Sequence, residues 1–133
     1  MKLKNFFFTK IKSTNITAIR LIKKGEPSGI ISADIQTKGK GQRGNKWISK
    51  KGNLFITIFF NISNKISLKK LTSINLSILK KIIANQIKIK TTVKLPNDIL
   101  IYKKKVCGIL QEIIFRNNIK YLIVGIGVNI ISS

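Results

Sequence analysis

The sequence has no histidine and only one cysteine, Cys107, in 133 residues. Without histidine, neither a Ser-His nor a Cys-His catalytic triad can form, and a Cys/His zinc site is also excluded. A single cysteine cannot form a disulfide within the chain. Cys107 is therefore predicted to be a small, buried core residue.

Long apolar runs are also missing. The longest are Leu54–Phe60 and the Ile/Val-rich run that starts at Tyr121, and both fall short of the roughly 20 residues that a membrane helix needs. The first segment, Met1–Phe8, has neither an apolar run of signal-peptide length nor a small-residue cleavage site. We therefore expect a cytoplasmic protein with no membrane partner.

Acidic residues are scarce: 4 stand against 26 basic residues, for a net charge of +22. Such a charge attracts polyanions, because neutralised phosphates release counterions. However, the basic residues are 23 lysines and only 3 arginines, and isoleucine and asparagine are also abundant, which is the pattern of AT-rich codons. Proteins that read bases favour arginine. We favour codon bias, with no specific nucleic-acid partner, and keep a basic nucleic-acid-binding module as an alternative.

Hydrophobic periodicity predicts an α+β fold in one domain, residues 1–133, with a mixed, mostly antiparallel sheet and helices packed against it. Seven segments are predicted as strands: Leu3–Ile11, Ile30–Thr37, Asn53–Asn61, Thr91–Leu95, Ile99–Tyr102, Val106–Phe115 and Ile119–Ile130. Two helices are predicted, Thr14–Lys24 with Ser13 as its N-cap and Ser67–Ile89 with one apolar face. Turns are expected at Lys103–Lys105 and Asn117-Asn118, and a loop at Lys38–Lys51.

The predicted loop contains Gly39-Lys40-Gly41-Gln42-Arg43-Gly44, a G-x-G-x-x-G pattern. It does not fit a dinucleotide-binding fingerprint, because a strand rather than a helix follows and no acidic residue occurs about 20 positions later. Backbone N–H groups and the Lys40, Arg43 and Lys46 charges could still bind an anion there. Trp47, at the end of this polar loop, could stack on a base. A solvated turn is the alternative.

A second polar segment, Pro96-Asn97-Asp98, separates two predicted strands and would also suit an ordinary turn. Asp98 is flanked by Lys94 and Lys103–Lys105, which would keep its carboxylate ionised. Gly125 and Gly127 interrupt the last predicted strand. Glycines in a strand often mark the close approach of a ligand or another backbone.

Five blocks occur together in an order and at spacings that resemble the biotin protein ligase family. The blocks are Ser13-Thr14-Asn15, Gln36 followed by Gly39–Trp47, Lys94–Asp98, Lys105–Leu110, and Gly125–Asn129. The resemblance runs from the first predicted strand to the end of the chain. It implies a fold like that of the biotinyl/lipoyl ligases and class II aminoacyl-tRNA synthetases.

The resemblance also implies a reaction. Members of the family use MgATP to convert biotin to biotinyl-5′-AMP, and then transfer the biotinyl group to a lysine of the biotin carboxyl carrier protein of acetyl-CoA carboxylase. By this analogy ATP, Mg²⁺ bound to ATP, and biotin are the expected small molecules, and no metal site of the protein itself is expected. No covalent enzyme intermediate is needed, so the absence of histidine is no obstacle.

The resemblance assigns roles residue by residue. The residues implied to bind biotin are Ser13, Thr14, Asn15, Gln36, Gly39, Lys40, Gly41, Gly108 and Leu110. The residues implied to bind ATP or the adenylate are Lys40, Gln42, Arg43, Trp47, Asn97, Lys105 and Asn129, with Trp47 against the adenine. Those implied in catalysis are Lys105, which contacts the carboxylate and phosphoryl oxygens, Asp98, which helps to activate the incoming lysine, and Arg43.

Several positions depart from the family pattern. Lys40 stands where arginine is usual, so the bidentate fork to phosphate is lost, and Leu95 stands where tryptophan is usual. The chain also ends near the Gly-x-Gly-x-Asn strand, earlier than family members do. We therefore expect either a minimal ligase without a repressor's DNA-binding domain, or an inactive or binding-only remnant, with a lipoate ligase as a close alternative. An uncovered sheet edge would also allow a homodimer.

Overall fold

A computed structural model describes residues 3–47, 49–62 and 65–130. Seven strands and two helices occur in the order β1, α1, β2, β3, α2, β4, β5, β6, β7. The strands are β1 Asn5–Ile11, β2 Gly29–Gln36, β3 Leu54–Asn61, β4 Thr92–Lys94, β5 Asp98–Ile101, β6 Lys104–Arg116 and β7 Ile119–Val128. The helices are α1 Thr14–Lys23 and α2 Leu68–Ile87. Ile48, which belongs to the predicted loop, lies outside the described residues.

The strands form one sheet in the order β1-β2-β3-β7-β6-β5-β4. Only β1 and β2 run parallel, because α1 connects them by a crossover, and the other neighbours in the described sheet are antiparallel. This arrangement confirms the predicted mixed, mostly antiparallel sheet with helices packed on it. No helix in the described parts of the chain is long and apolar enough to cross a membrane.

The two helices pack on opposite faces of this sheet. Tyr121 and Ile123 of β7 join the core cluster that contains α1, whereas Leu122 and Val124 join the cluster that contains Leu76 of α2. Successive side chains of a strand point to opposite faces. The central strand β7 is therefore covered on both sides, which explains its nearly continuous apolar sequence.

Each helix begins where a serine satisfies a free backbone N–H. The Ser13 hydroxyl accepts a hydrogen bond from the Ile16 amide, and the Ser67 hydroxyl accepts one from the Lys70 amide. Both are N-cap interactions, and the one at Ser13 confirms the sequence prediction. Lys88 ends α2 in a left-handed conformation, so the helix stops two residues before the predicted Ile89.

The prediction of a single apolar face on α2 is only partly right. Leu76 is fully buried against β5 and β6, but Ile74, Ile78 and Ile82 are about half exposed, at 43%, 51% and 53%. The apolar residues of α2 span more of the helix circumference than the short strands β4 and β5 can cover. An isoleucine stripe therefore faces outward in the described structure.

The predicted turn at Lys103–Lys105 is wrong in its position. Tyr102 and Lys103 occupy the turn, both with positive φ (49° and 63°), and β6 already begins at Lys104. A two-residue hairpin with this geometry matches the twist of its flanking strands. Lys105 is consequently a strand residue with a defined direction. The second turn, at Asn117-Asn118, has the same positive-φ geometry and lies where the sequence predicted it.

Candidate functional site

A crevice opens on the α1 face of the sheet, between the start of α1, the glycine loop and strands β6 and β7. Most of the residues predicted to bind a ligand line it. The lining residues are Ser13, Thr14, Asn15, Gln36, Lys40, Gly41, Gln42, Trp47, Asn97, Lys105, Gly108, Ile109, Leu110, Gly125, Ile126 and Gly127. Segments far apart in sequence thus share one cavity.

The first turn of α1 forms one wall of the crevice. Thr14 and Asn15 are almost fully buried there. Asn15 can lie against β7 because Gly125 has no side chain: a Cβ at Gly125 would clash with the Asn15 Oδ1. The N-terminal end of a helix carries a partial positive charge, so this wall favours electronegative ligand atoms.

Hydrogen bonds connect this wall to the glycine loop. The Thr14 amide donates to Gln36 Oε1 at 2.8 Å, and Gln36 Nε2 is 3.0 Å from the Ser49 hydroxyl. The Ser49 hydroxyl in turn donates to the Trp47 carbonyl at 3.0 Å. The position of the loop therefore depends on the same side chain, Gln36, that borders the first turn of α1.

Trp47 folds back from the loop and lies over β6 and β7. A Cβ at Gly108 would come within 2.8 Å of its ring, and one at Gly127 within 2.5 Å. The indole therefore needs glycine at both positions, which explains the glycines seen in these strands. Its N–H has no hydrogen-bond partner among the described residues, although the atom is buried.

Lys105 extends into the crevice beside Trp47. Its ammonium is 3.0 Å from Asp98 Oδ1 and 4.9 Å from the centroid of the indole ring. The lysine side chain is 43% exposed and the aspartate 18% exposed, so a ligand could still reach the ammonium. A cation held by one carboxylate and one ring face is a ready partner for an incoming anion.

Four of the predicted site residues do not line the crevice. Asp98 reaches it only through Lys105, and Gly39 borders a second depression that the loop residues line. Arg43 lies at the loop tip in a left-handed conformation, with φ of 58°. The Asn129 amide donates to the Lys105 carbonyl at 3.2 Å, so it supports the strand that carries the lysine.

Asn97 does line the crevice, but its amide is already engaged in the structure. Asn97 Nδ2 donates to the Ile109 carbonyl at 2.7 Å, and the Ile109 amide donates to the Asn97 carbonyl at 3.0 Å. This pair fastens the segment before β5 to β6. The role of Asn97 toward a nucleotide stays a prediction.

Two polar residues next to the crevice, the half-buried Glu112 and the buried Thr57, were missed by sequence reasoning. Glu112 accepts a hydrogen bond from Asn15 Nδ2 at 2.9 Å and lies 4.0 Å from the Lys40 ammonium. Thr57 is fully buried and lies within hydrogen-bond distance of both Thr14 and Asn15. The available signals were the scarcity of acids in the chain and a lone hydroxyl inside the apolar run of β3.

Cys107 lies beneath the crevice floor and is fully buried, as predicted for a core residue. Burial raises the pKa of its thiol from 9.0 to about 12, the Asp98 carboxylate acts in the same direction, and Lys105 opposes them. The thiol is thus protonated at neutral pH and cannot serve as a nucleophile. Among the described residues, no group of three His, Cys, Asp or Glu side chains could hold a metal ion.

Comparison with known proteins supports the resemblance seen in the sequence. A family model described as the biotin/lipoate A/B protein ligase family matches residues 7–129. The bifunctional ligase/repressor BirA of Bacillus spizizenii is 34% identical over 125 residues, which cover 90% of this chain and 38% of that protein. The chain therefore spans well under half the length of the curated relatives that it matches.

Solved structures give the same result for the fold. A biotin protein ligase from Aquifex aeolicus in complex with biotin and ATP has a TM-score of 0.79 and 29% identity, covering 96% of this chain and 52% of that one. The biotin acetyl coenzyme A carboxylase synthetase of Helicobacter pylori has a TM-score of 0.81 at 24% identity, covering 99% of this chain and 63% of that one. The predicted ligase-like fold and family resemblance are confirmed.

Proposed function

Because this chain belongs to the biotin/lipoate A/B protein ligase family, we propose that it activates biotin with ATP to biotinyl-5′-AMP and transfers the biotinyl group to a lysine of a biotin carboxyl carrier protein. The observation that carries the proposal is the pairing of Lys105 with Asp98 and Trp47 in a crevice bounded by the start of α1 and the glycine loop.

In the first step, a carboxylate oxygen of biotin attacks the α-phosphorus of ATP, and pyrophosphate leaves. Both reactants are anions, so their approach is opposed by charge repulsion. The Lys105 ammonium would leave Asp98 for the biotin carboxylate and then contact the phosphoryl oxygens, where negative charge develops. Mg²⁺ would enter with the triphosphate and reduce its charge.

The head group of biotin would occupy the end of the crevice formed by the first turn of α1. Ser13, Thr14, Asn15 and Gln36 offer polar atoms there, and Gly108 and Leu110 form the adjoining surface. Polar groups fix the orientation of a ligand, while the apolar surface supplies the favourable burial. This arrangement would align the valerate chain of biotin with Lys105.

The glycine loop Gly39–Trp47 would cover the adenylate. Lys40 and Arg43 would supply positive charge to the phosphate, Gly39 and Gly41 would let the backbone approach the ligand, and Gln42 would offer its side-chain amide to the adenylate. Trp47 would pack against the adenine, and Asn97 and Asn129 would complete the nucleotide subsite. An ordered loop excludes water and protects the mixed anhydride from hydrolysis.

In the second step, the amine of the carrier lysine attacks the acyl carbon, and AMP leaves. The amine must be neutral to attack, so a proton has to be removed from it. Asp98, beside Lys105, is the carboxylate best placed to assist this step. The carrier of acetyl-CoA carboxylase is the proposed partner, and the cytoplasm the proposed location.

The direct test combines purified chain, biotin, MgATP and an apo biotin carboxyl carrier domain. We expect the carrier lysine to gain the mass of one biotinyl group, and the gain to require both biotin and ATP. No gain, together with no binding of biotin by calorimetry, would contradict the proposal. Binding without mass gain would instead identify a chain that holds biotin but does not transfer it.

A lipoate ligase is the second candidate, because the matching family model includes lipoate ligases. The Gly39–Trp47 loop and the Lys105–Leu110 block favour biotin. A competition assay with equal concentrations of biotin and lipoate separates the two, since the preferred acid will be activated in excess. If lipoate is activated in preference to biotin, lipoate becomes the proposed substrate.

A further inference from the structure

A chain of polar groups extends from the half-buried Glu112 of β6 to the buried Asn15 and Thr14 of α1 and Thr57 of β3. Asn15 Nδ2 is 2.9 Å from Glu112 Oε1 and 3.3 Å from the Leu110 carbonyl, and both of these partners can only accept hydrogen bonds. The amide nitrogen of Asn15 must therefore be the atom that faces them. As a result, the Asn15 carbonyl oxygen, Oδ1, points toward Thr57 of β3.

Counting protons then determines the direction of the remaining hydrogen bonds. Asn15 Oδ1 is only an acceptor, so the Thr57 hydroxyl, 2.6 Å away, must donate its single proton to it. The Thr14 hydroxyl is 2.7 Å from the Thr57 oxygen, which has no further proton to give. Thr14 must therefore donate to Thr57.

This direction leaves Thr14 with free lone pairs. Its proton points down to Thr57, so the 3.1 Å approach of its oxygen to Gln36 Oε1 is not a hydrogen bond, and Gln36 Oε1 is satisfied by the Thr14 amide instead. Thr14 borders the crevice. Toward a ligand, it can then act only as a hydrogen-bond acceptor.

We propose that Thr57 is a positioning residue that makes Thr14 an obligate hydrogen-bond acceptor, and so selects a ligand head group with an N–H donor. The Asn15 amide, held by Glu112 and Leu110, orients the Thr57 hydroxyl. Thr57 does not line the crevice and acts only through Thr14. The inference rests on the proposed function, in which that head group is the cyclic urea of biotin.

Selection by hydrogen-bond direction is stronger than selection by shape. A ligand oxygen placed where the N–H belongs would meet the Thr14 lone pairs, and relieving this repulsion would require Thr14 to turn away from Thr57. Sites built around a specific hydrogen bond reject analogues that lack the donor far better than apolar pockets reject a small change in size. The buried hydroxyl of Thr57 accepts the Thr14 proton and so keeps the Thr14 lone pairs directed at the ligand.

The test compares biotin with its two cyclic carbamate analogues, in which one or the other urea N–H is replaced by oxygen. Calorimetry on the purified chain measures the affinity for each of the three ligands. We expect the unaltered chain to bind biotin on the order of 100-fold more tightly than one of the carbamates. Thr57→Val keeps the side-chain shape but frees the Thr14 proton, so it should bind biotin about tenfold more weakly. The ratio of the affinity for biotin to the affinity for that carbamate should fall by a similar factor.

Two variants separate this role from general destabilisation. Thr57→Ser retains the hydroxyl and should restore both the affinity and the ratio. Thr91→Val removes another buried threonine hydroxyl, away from the crevice and without a partner among the described residues, and should change neither. Circular dichroism and thermal unfolding confirm that each variant is folded at the temperature of the binding measurement.

The outcomes distinguish this inference from the proposed function. If the unaltered chain binds no biotin, the proposed function fails. If it binds biotin but binds both carbamates as tightly as biotin, Thr14 is not an obligate acceptor. The inference is then overturned, even where Thr57→Val does not fold. An unchanged ratio in folded Thr57→Val overturns it as well. A lowered ratio restored by Thr57→Ser supports it.

Discussion

At the scale of single residues, the charges in the crevice balance each other before any ligand enters. The chain has four acidic residues, and two of them stand against crevice lysines: Asp98 against Lys105, and Glu112 near Lys40. Each pair is partly exposed, so its contribution to the free energy of unfolding is small. In the proposed function the pairs would matter more for binding, because each would hold an ammonium in place until an anionic ligand replaces the carboxylate.

Lys105 is the residue on which the proposed chemistry depends most. Replacing it in Lys105→Ala should lower the rate of biotinyl-5′-AMP formation by about 100-fold to 1,000-fold, since a donor to the developing negative charge is lost. The measurement is pyrophosphate release in the presence of biotin and MgATP. Lys104→Ala is the matched control, because Lys104 is the preceding residue of β6, is exposed like Lys105, and does not line the crevice. An unchanged rate in Lys105→Ala would remove this role.

The buried thiol of Cys107 predicts a pH dependence of stability. Its pKa in the folded chain is raised to about 12, so the unfolded chain loses this proton at lower pH than the folded chain. The stabilising contribution is therefore present below pH 9.0 and declines as the pH rises toward 12. In urea unfolding at several pH values, the free energy of unfolding should decline less steeply with pH for Cys107→Ala than for the unaltered chain. Equal slopes for both proteins would contradict the prediction.

At the scale of elements, α2 is held by few of its apolar side chains. Leu76→Ala should lower the free energy of unfolding by about 2–5 kcal/mol, because it opens a cavity between the helix and the sheet. Ile78→Ala is the matched control: the side chain is 51% exposed, so a change within about 0.5 kcal/mol is expected. Denaturant unfolding measures both, and a large loss for Ile78→Ala would show that the isoleucine stripe is covered in solution.

The glycine loop is held in place by contact between Trp47 and the sheet. A Cβ at Gly127 would lie 2.5 Å from the indole, so Gly127→Ala should displace the ring and shift its fluorescence emission toward longer wavelength. Trp47 is the single tryptophan of the chain, which makes the signal specific. Gly41→Ala is the control in the same loop, since a Cβ at Gly41 would be 3.5 Å from its nearest neighbour, the Asn45 carbonyl oxygen, which is an ordinary contact. Identical spectra for the two variants would contradict the proposed contact.

At the scale of the whole molecule, the net charge of +22 predicts weak and salt-sensitive binding to nucleic acid. We expect a random DNA duplex to bind with a Kd weaker than about 1 µM at physiological salt, and the affinity to fall by about 10³-fold to 10⁵-fold between 50 and 200 mM salt. Fluorescence anisotropy of a labelled duplex measures this. Tight, sub-micromolar binding at physiological salt would instead favour a nucleic-acid-binding module.

The same charge bears on self-association. Like charges on two copies repel each other, which opposes close pairing of two chains at low salt. The exposed isoleucines of α2 act in the opposite direction. A homodimer therefore stays a prediction, to be measured by light scattering at low and high salt.

The sequence alone determined the features that depend on neighbouring residues. Strand and helix periodicity, the Ser13 cap and the Asn117-Asn118 turn are local properties, and they were predicted nearly to the residue. The order of the motif blocks was sufficient to identify the family. The turn before β6 was placed incorrectly, because a run of three lysines does not reveal which residues take positive φ.

Only the tertiary structure decided which polar groups meet. Asn15 and Glu112 are 97 positions apart, and Thr57 and Asn15 are 42 apart. Their contact depends on the register of β3, β6 and β7, since a shift of one residue would turn each side chain to the opposite face of the sheet. The Asn117-Asn118 turn fixes the register of β6 against β7, but no local pattern specifies the register of β3 against β7 or the packing of α1 on them. The pairing of Lys105 with Asp98, and the direction of the hydrogen bonds below Thr14, therefore follow from the packing of the sheet and not from any single motif.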